Sequence, residues 1–235
     1  MCIRDRYDAG QLASPEAGTQ AISAVLWSRG IVRLDAIILS HPDLDHFNAV
    51  PGLLERFRVR AIYVPPNMFE QPGASIDALD QAIKRAGVPV YELCAGDRLR
   101  GGDSCVMEVL HPPRHGVIGG DNANSLVLAV EYNSRRILLT GDLETPGLED
   151  VTAEEPWHCD VLLAPHHGSR LSKPHVLAAW CTPSWVIISA GHRLRGDDSR
   201  AAFEAAGAKV WYTGRSGAIR AKIDSTGLTM TPLRR

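Results

Sequence analysis

The sequence predicts an α/β protein built in layers, with β-sheets inside and helices outside. Apolar runs of strand length recur along the chain, and segments with helical spacing lie between many of them. Two runs are joined by the short polar stretch NSRR (133–136), which indicates an antiparallel hairpin. A mixture of hairpins and β-helix-β units favours layered sheets over a simple doubly wound parallel sheet.

The predicted strands are apolar, β-branched runs, and eight is a minimum count. In chain order they span 35–40, 61–64, 104–110, 125–132, 136–140, 160–164, 185–189 and 209–213. The predicted helices have apolar residues at helical spacing, and they span 46–57, 75–87, 173–180 and 198–208. Gly87 and Gly207 stand where glycines commonly end helices.

Length and composition favour one soluble domain. The 235 residues, 45% of them hydrophobic, are enough for one sizeable core. A net charge of -2 gives the chain no overall positive charge to attract nucleic acid, so polyanion binding would need a local basic patch or a metal. The five cysteines are widely spaced without a CxxC pair, which indicates free thiols. The opening MCIRDR shares no pattern with the rest and is interpreted as a non-native leader, so the predicted single domain spans 7–235.

The stretch HPDLDH, which follows the first predicted strand, offers four metal ligands in six positions. They are His41, Asp43, Asp45 and His46. Imidazole and carboxylate groups bind divalent cations, and this density of donors is enough for two ions with help from elsewhere in the chain. The alternative is an ordinary helix start, in which Asp43 or Asp45 is the N-cap.

Two later strands also end in residues with metal-binding chemistry. Asp142 ends one of them, at a position where ligand sites of layered α/β proteins tend to lie, although TGDLE alone is also consistent with a turn into a helix. His166 and His167 end the other, and His166 is the predicted ligand while its neighbour points elsewhere. Stacking or core hydrogen bonding is the alternative for this pair. Because three predicted strands all end in histidine or carboxylate groups, the sequence predicts that these groups share one metal site.

The motifs SHPDLDH, LLTGDLE and LLAPHHGS, in this order, resemble the metallo-β-lactamase superfamily. They are more closely similar to the soluble hydrolase domain of the ComEC family of competence proteins, which import DNA. The stretch DNANSLVLAVEYNSRRILLTGDLE is the most specific part of the likeness, which covers residues 7–224. The resemblance implies a four-layer αβ/βα sandwich of the metallo-β-lactamase type that lacks its first strands.

The resemblance also implies a site with two divalent metal ions, zinc or manganese. Six residues would bind them: His41, Asp43, Asp45, His46, Asp142 and His166. The first two would serve one ion, the next two the other, and Asp142 would bridge the ions. Asp45, Asp142 and Asp197 are the catalytic candidates, with Asp45 orienting water. Asp43 replaces a histidine of the usual motif HxHxDH, a change typical of the ComEC-like branch that moves the metal preference toward manganese.

Two other positions depart from the family pattern. Asn122 and Asn124 stand where many relatives have a histidine ligand, which predicts weaker or absent ligation there. Asp197 stands where a late histidine is expected, and it is retained as a residue that binds metal or relays a proton. His192 is a second candidate for that role.

The function that the resemblance implies is hydrolysis of DNA phosphodiester bonds during DNA uptake, with single-stranded DNA as the partner. Candidate phosphate contacts, for which a solvated surface is the alternative, are Arg193, Arg195, Arg200, Arg215 and Arg220. Two other functions stay open: a stand-alone metallo-hydrolase acting on a small ester, lactone or phosphodiester, and a non-catalytic binding module of the same fold. The chain is expected not to insert into a membrane; as a fragment of a ComEC-like protein it would be associated with the cell membrane, beside a membrane channel part.

Overall fold

The computed structural model describes residues 4–11, 14–70, 72–102, 104–191 and 197–233. These residues form two compact units. The first contains the described residues up to Cys94 together with Arg114–Gly116, and the second contains Ala95–Pro113 and the residues from Val117 onward. Within the described residues, no helix combines the length and the apolar composition needed to cross a bilayer.

The first unit has one main parallel sheet and four helices in its described part. Its strands are β1 (Asp5–Tyr7), β2 (Arg33–Leu34), β3 (Ala36–Ile38), β4 (Arg58–Val59), β5 (Ile62–Val64) and β6 (Val90–Glu92). Its helices are α1 (Pro15–Ser28), α2 (Leu44–Phe47), α3 (Val50–Arg56) and α4 (Ala74–Ala86). The main sheet has the order β1-β3-β5-β6 with parallel neighbours, and β2 and β4 form a separate parallel pair.

Burial of apolar faces explains the sheet and helices of this unit. Strand β3 is buried at every position, as expected for a strand covered on both faces. Helix α4 contributes Ile76, Leu79 and Ile83 to the same apolar cluster as the strands, so its apolar residues lie on one face. It ends at Gly87, which has φ +66°, a conformation that glycine adopts without strain.

Residues 5 and 6, which were predicted to lie outside the domain, form part of strand β1. Asp5 pairs with Ala36 and Arg6 with Ile37 in a parallel ladder, so a domain that began at residue 7 would cut this strand. The strand was not predicted because its three residues, DRY, contain no apolar run.

The second unit has a mixed seven-stranded sheet in its described part. The strands are β7 (Arg98–Gly101), β8 (Cys105–His111), β9 (Val127–Tyr132), β10 (Arg135–Leu139), β11 (Val161–Leu163), β12 (Trp185–Ile188) and β13 (Lys209–Tyr212), followed by a separate hairpin of β14 (Ala218–Asp224) and β15 (Gly227–Leu233). The helices are α5 (Gly147–Ala153), α6 (Pro174–Cys181), α7 (Asp197–Ala205) and α8 (Thr213–Ser216), and short 3-10 turns span Asn122–Asn124, Pro165–Gly168 and Arg170–Ser172.

The order of this sheet positions the later motifs. Strands β7 to β10 are antiparallel and β10 to β13 are parallel. The predicted hairpin between β9 and β10 is confirmed, and its turn residues Asn133 and Ser134 both have the positive φ of a type I′ turn. Because Leu139 pairs with Leu163, the residues that follow β10 and β11 leave the same edge of the sheet.

Candidate metal centre

The first donor set lies in the loop between β3 and α2. The ring of His41 is fully buried, and its Nδ1 lies 2.8 Å from Oγ of Ser40. The Ser40 hydroxyl donates to the Asp8 carboxylate at 2.8 Å, so it accepts from Nδ1 of His41. This leaves the Nε2 lone pair of His41 facing Oδ2 of Asp43 at 3.4 Å, and Nε2 has no hydrogen-bond partner among the described residues.

His46 is presented in the same way. Its Nδ1 donates to Oδ2 of Asp8 at 2.9 Å, and its Nε2 lies 3.8 Å from Oδ2 of Asp45. The centroids of the His41 and His46 rings are 4.1 Å apart. The two histidines therefore present their Nε2 atoms beside carboxylates, while a serine and a partly buried carboxylate hold the other nitrogens. Metal-binding histidines are commonly oriented by such partners.

Asp8 is a candidate site residue that the sequence reasoning missed. Its carboxylate also accepts the backbone N–H of Ser40 at 2.7 Å, so it connects the loop after β1 to the loop after β3. The only signal was the segment DAG (8–10), which packs against α2. A Cβ at Gly10 would lie 2.3 Å from the carbonyl oxygen of Asp45, so this approach requires glycine.

The N-cap interpretation of Asp43 is not supported. Asp43 occupies the N-cap position of α2, but within the described part of the chain its side chain makes no capping hydrogen bond. The carboxylate faces Nε2 of His41 at 3.4 Å, and its interaction with this imidazole lowers the pKa of Asp43. Asp45 is inside the first turn of α2 and is therefore not the cap either.

The second donor set surrounds Asp142, which is 5% exposed and follows β10. Its backbone N–H donates to Oγ of Ser125 at 3.2 Å. The Nε2 atoms of His166 and His167 both lie 3.8 Å from Oδ2 of Asp142. The expectation that His167 points elsewhere is therefore wrong. Both histidines have left-handed backbone, with φ of 44° and 54°, so their side chains do not alternate as they would in a strand.

The remaining nitrogen of each of these rings is also held by an acceptor. Nδ1 of His166 donates to Oε1 of Glu144. Nδ1 of His167 donates to the carbonyl oxygen of Ser189 at 2.9 Å. Both rings consequently carry their lone pair on Nε2, toward the carboxylate of Asp142.

This donor chemistry fits divalent cations. In each unit a lone pair on an imidazole nitrogen faces a carboxylate oxygen at 3.4–3.8 Å, an arrangement that is repulsive unless a positive charge lies between the two atoms. Imidazole and carboxylate are ligands that zinc and manganese accept.

The side-chain amide of Asn124 is hydrogen-bonded to the backbone of the preceding loop. Its Oδ1 accepts the backbone N–H of Val117 at 2.7 Å, and its Nδ2 donates to the carbonyl oxygens of Val117 and Gly120 at 3.1 and 3.2 Å. Asn122, in contrast, places its amide nitrogen 3.4 Å from Nδ1 of His166. The side chain at position 124 thus closes the loop that precedes the site.

Several predicted site residues lie outside the described part of the structure, namely His192, Arg193 and Arg195. Asp197 is the first residue of α7, and its side chain is also outside the described part.

The other predicted phosphate contacts have partners or lie on an exposed strand. Nε of Arg200 lies 2.6 Å from Oε1 of Glu204, one turn along α7. The guanidinium of Arg215 lies 5.9 Å from the centroid of the Tyr212 ring. Arg220 is exposed on β14.

Comparison with known proteins agrees with this fold and these motifs. The sequence pattern of the family described as the metallo-beta-lactamase superfamily matches residues 12–173. The chain is 34% identical to ComE operon protein 3 of Bacillus subtilis (strain 168) over 179 residues, which are 76% of this chain and 23% of that protein. It is 30% identical to Recombination protein 2 of Haemophilus influenzae over 189 residues, 79% of this chain and 21% of that protein.

A third relative, Competence protein ComA of Neisseria gonorrhoeae, is 29% identical over 241 residues, which cover 97% of this chain and 30% of that protein. The chain thus spans less than a third of the length of each of these relatives. It belongs to the metallo-β-lactamase superfamily, whose members are typically metal-dependent hydrolases, and it has the fold of that superfamily. The predicted family and fold class are confirmed.

Proposed function

We propose that this chain is a metal-dependent phosphodiesterase that hydrolyses single-stranded DNA during DNA uptake. The observation that carries the proposal is the shared presentation of His41, His46, His166 and His167: Nδ1 of each ring donates to a fixed acceptor, and Nε2 faces a carboxylate. The similarity to a competence protein supports DNA as the substrate.

The residues proposed to hold two divalent cations are the predicted set with one addition. They are His41, Asp43, Asp45, His46, Asp142, His166 and His167. This assignment rests on the family pattern and on the geometry within each unit. The mixture of carboxylates and imidazoles suits either manganese or zinc.

The chain's own residues supply binding and proton transfer. Bound divalent cations lower the pKa of water and neutralise charge on a phosphoryl group. The side chain of Asp45 is 20% exposed, so solvent water can reach its carboxylate and transfer a proton to it. This carboxylate lies beside Nε2 of His46, among the proposed metal ligands. Asp8 and Glu144 hold the rings of His46 and His166, which keeps the donors from rotating away.

A second candidate function is a binding module of the same fold that does not turn over substrate. Asn124 favours it, because its amide is engaged with Val117 and Gly120 at a place where many relatives have a histidine ligand. A site with fewer donors would hold metal less tightly.

The test is cleavage of labelled single-stranded DNA by the purified chain with manganese or zinc, beside Asp45→Asn and the control Asp80→Asn. Asp80 is a partly exposed residue of α4 that pairs with Lys84. We expect the wild type and the control to cleave, and Asp45→Asn to be about 100-fold slower or worse, as loss of a general base implies. Equal rates for all three would refute the proposed role. Metal binding without cleavage would support the binding module.

A further inference from the structure

A basic surface with an exposed tryptophan lies where helices α1 and α3 of the first unit end. We call it the arginine surface, and its charged residues are Arg29, Arg33, Arg56, Arg58 and Arg60, all of them exposed. Two exposed apolar residues accompany them: Trp27 is 51% exposed and Val32 is 67% exposed. None of the arginines that the sequence predicts as phosphate contacts belongs to this surface. Those arginines come from the other end of the chain.

Direct contacts hold this surface together. Arg33 of β2 and Arg58 of β4 are register partners in a parallel pair. The ring centroid of Trp27 lies 5.6 Å from that of Phe57, the residue before Arg58. Arg33, Arg56 and Arg58 line one groove of about 560 Å³.

The groove of the surface is positively charged, in contrast to the net charge of -2 of the whole chain. Arg33, Arg56 and Arg58 line it together with the carboxylate of Glu55, and Oδ1 of Asp35 lies 3.6 Å from Nε of Arg33. Positive charges therefore outnumber negative ones here. A local excess of this kind attracts polyanions that the whole chain would repel.

Ordinary structural roles explain only part of this composition. Arg29 caps the carboxyl end of α1 and Arg56 ends α3, where cations stabilise the helix dipole. Arg58 and Arg60 have no carboxylate within ion-pair distance among the described residues. The half-exposed Trp27 has one ring face against Phe57, so burial of its apolar area is incomplete.

We propose that the arginine surface binds the backbone of single-stranded DNA, with a base stacked on Trp27; this inference rests on the proposed function. Guanidinium groups match phosphate oxygens in a bidentate manner, and aromatic rings accept any base. Strand β2 leads into β3, and the first donor set follows the other end of β3, so a substrate with a single phosphodiester bond does not contact both places. The surface therefore holds long strands and leaves short substrates unaffected.

The test measures binding of a long fluorescent oligothymidylate to the full chain, in EDTA so that no hydrolysis occurs, over a range of salt concentrations. The variant is Arg33→Gln with Arg58→Gln. The matched control is Arg85→Gln with Arg100→Gln, two exposed arginines outside the surface. Removing two phosphate contacts should reduce the slope of log K against log salt by about 1.4, and weaken binding roughly fivefold to 25-fold at ~0.1 M salt. The control should stay within about twofold of the wild type.

Trp27→Ala separates stacking from charge. It should weaken binding about fivefold or more with an unchanged salt slope, because base stacking releases no counterions. Circular dichroism and thermal unfolding identify any variant that fails to fold. If the double variant fails, Arg33→Gln alone provides the second measurement, and it should reduce the salt slope by about 0.7, whereas an unchanged slope would overturn the inference.

An unchanged salt slope and affinity in the folded double variant would overturn the inference. Binding to phosphatidylglycerol vesicles that is lost in the double variant, while DNA binding is retained, would overturn it in favour of a membrane surface. Hydrolysis of bis(4-nitrophenyl) phosphate with manganese distinguishes this result from failure of the proposed function. Hydrolysis with an unchanged salt slope means that the surface is wrongly assigned, whereas a reduced slope without hydrolysis means that the surface binds DNA and the enzyme assignment fails.

Discussion

Replacing Asp8 by asparagine changes how one histidine of the first donor set presents its nitrogen. Asp8 has φ +49°, and asparagine tolerates this left-handed conformation, so the backbone is preserved. In the wild type Oδ2 accepts from Oγ of Ser40 and from Nδ1 of His46, at 2.8 and 2.9 Å. An amide that keeps its oxygen toward the backbone N–H of Ser40 places an NH₂ group against these two partners. His46 must then accept at Nδ1 and carry its proton on Nε2, where the lone pair is needed.

The expected magnitude follows from the bonds that are lost. Hydrogen bonds to charged groups contribute about 1.5–3 kcal/mol each, and rearrangement recovers part of this, so Asp8→Asn should lower the free energy of unfolding by about 1–3 kcal/mol. The affinity for manganese or zinc should fall by about 10- to 100-fold, as is usual when the partner of a metal-binding histidine is removed. The loss of affinity should persist under conditions in which the variant is fully folded.

The assay is calorimetric titration of each metal into the wild type, Asp8→Asn and Asp80→Asn, with urea unfolding of the three metal-free proteins. Asp80→Asn removes a partly exposed carboxylate of the first unit and should change neither quantity. Metal affinity of Asp8→Asn within about twofold of the wild type would refute the role of Asp8 in orienting His46.

Three further changes test other parts of the site and fold. Asn124→Ala should lower the free energy of unfolding by about 2–3 kcal/mol in urea, because it leaves the buried polar groups of the loop at Val117 unpaired; a change below about 0.5 kcal/mol would contradict this. His167→Ala should weaken metal binding by about tenfold or more in calorimetry, as should His166→Ala, and an effect confined to His166 would restore the original prediction. Burial raises the pKa of Asp5 to about 6, so the folded chain binds this proton more tightly than the unfolded chain, and the stability it contributes at low pH is lost as pH rises through about 6. Asp5→Asn should therefore be more stable than the wild type at about pH 7 but not at about pH 4 in urea unfolding, and parallel pH profiles would exclude a raised pKa.

The strands and the donor motifs were predictable because their signals are local. Apolar runs identified β3, β10 and β11, and each is followed directly by the residues that the structure places in a donor set. The helical segment 46–57 is divided into α2 and α3, with Asn48 and Ala49 between them.

Helix α1 was not predicted because the face it buries is not strongly apolar. Its buried residues are Gly18, Thr19 and Ser23. Small side chains allow a close approach to α3, where a Cβ at Gly52 would lie 2.7 Å from Oγ1 of Thr19. A pattern search for apolar periodicity does not detect such a face.

The supporting residues of the site could not be predicted because their contacts are distant in sequence or depend on backbone conformation. Asp8 is 32 positions from Ser40, and Glu144 is 22 positions from His166. The position of His167 depends on left-handed backbone at two successive residues, a conformation that is uncommon in histidine and has no sequence signature here.

The most direct test of the central claim is the number of metal ions bound per chain. Equilibrium dialysis of the purified chain against manganese or zinc, followed by elemental analysis, should give two ions per chain, and fewer than two for His41→Ala and for Asp142→Asn, which remove one donor from each unit. No bound metal in the folded wild type, or an unchanged number in both variants, would contradict the assignment of these donor sets to a metal-dependent hydrolase.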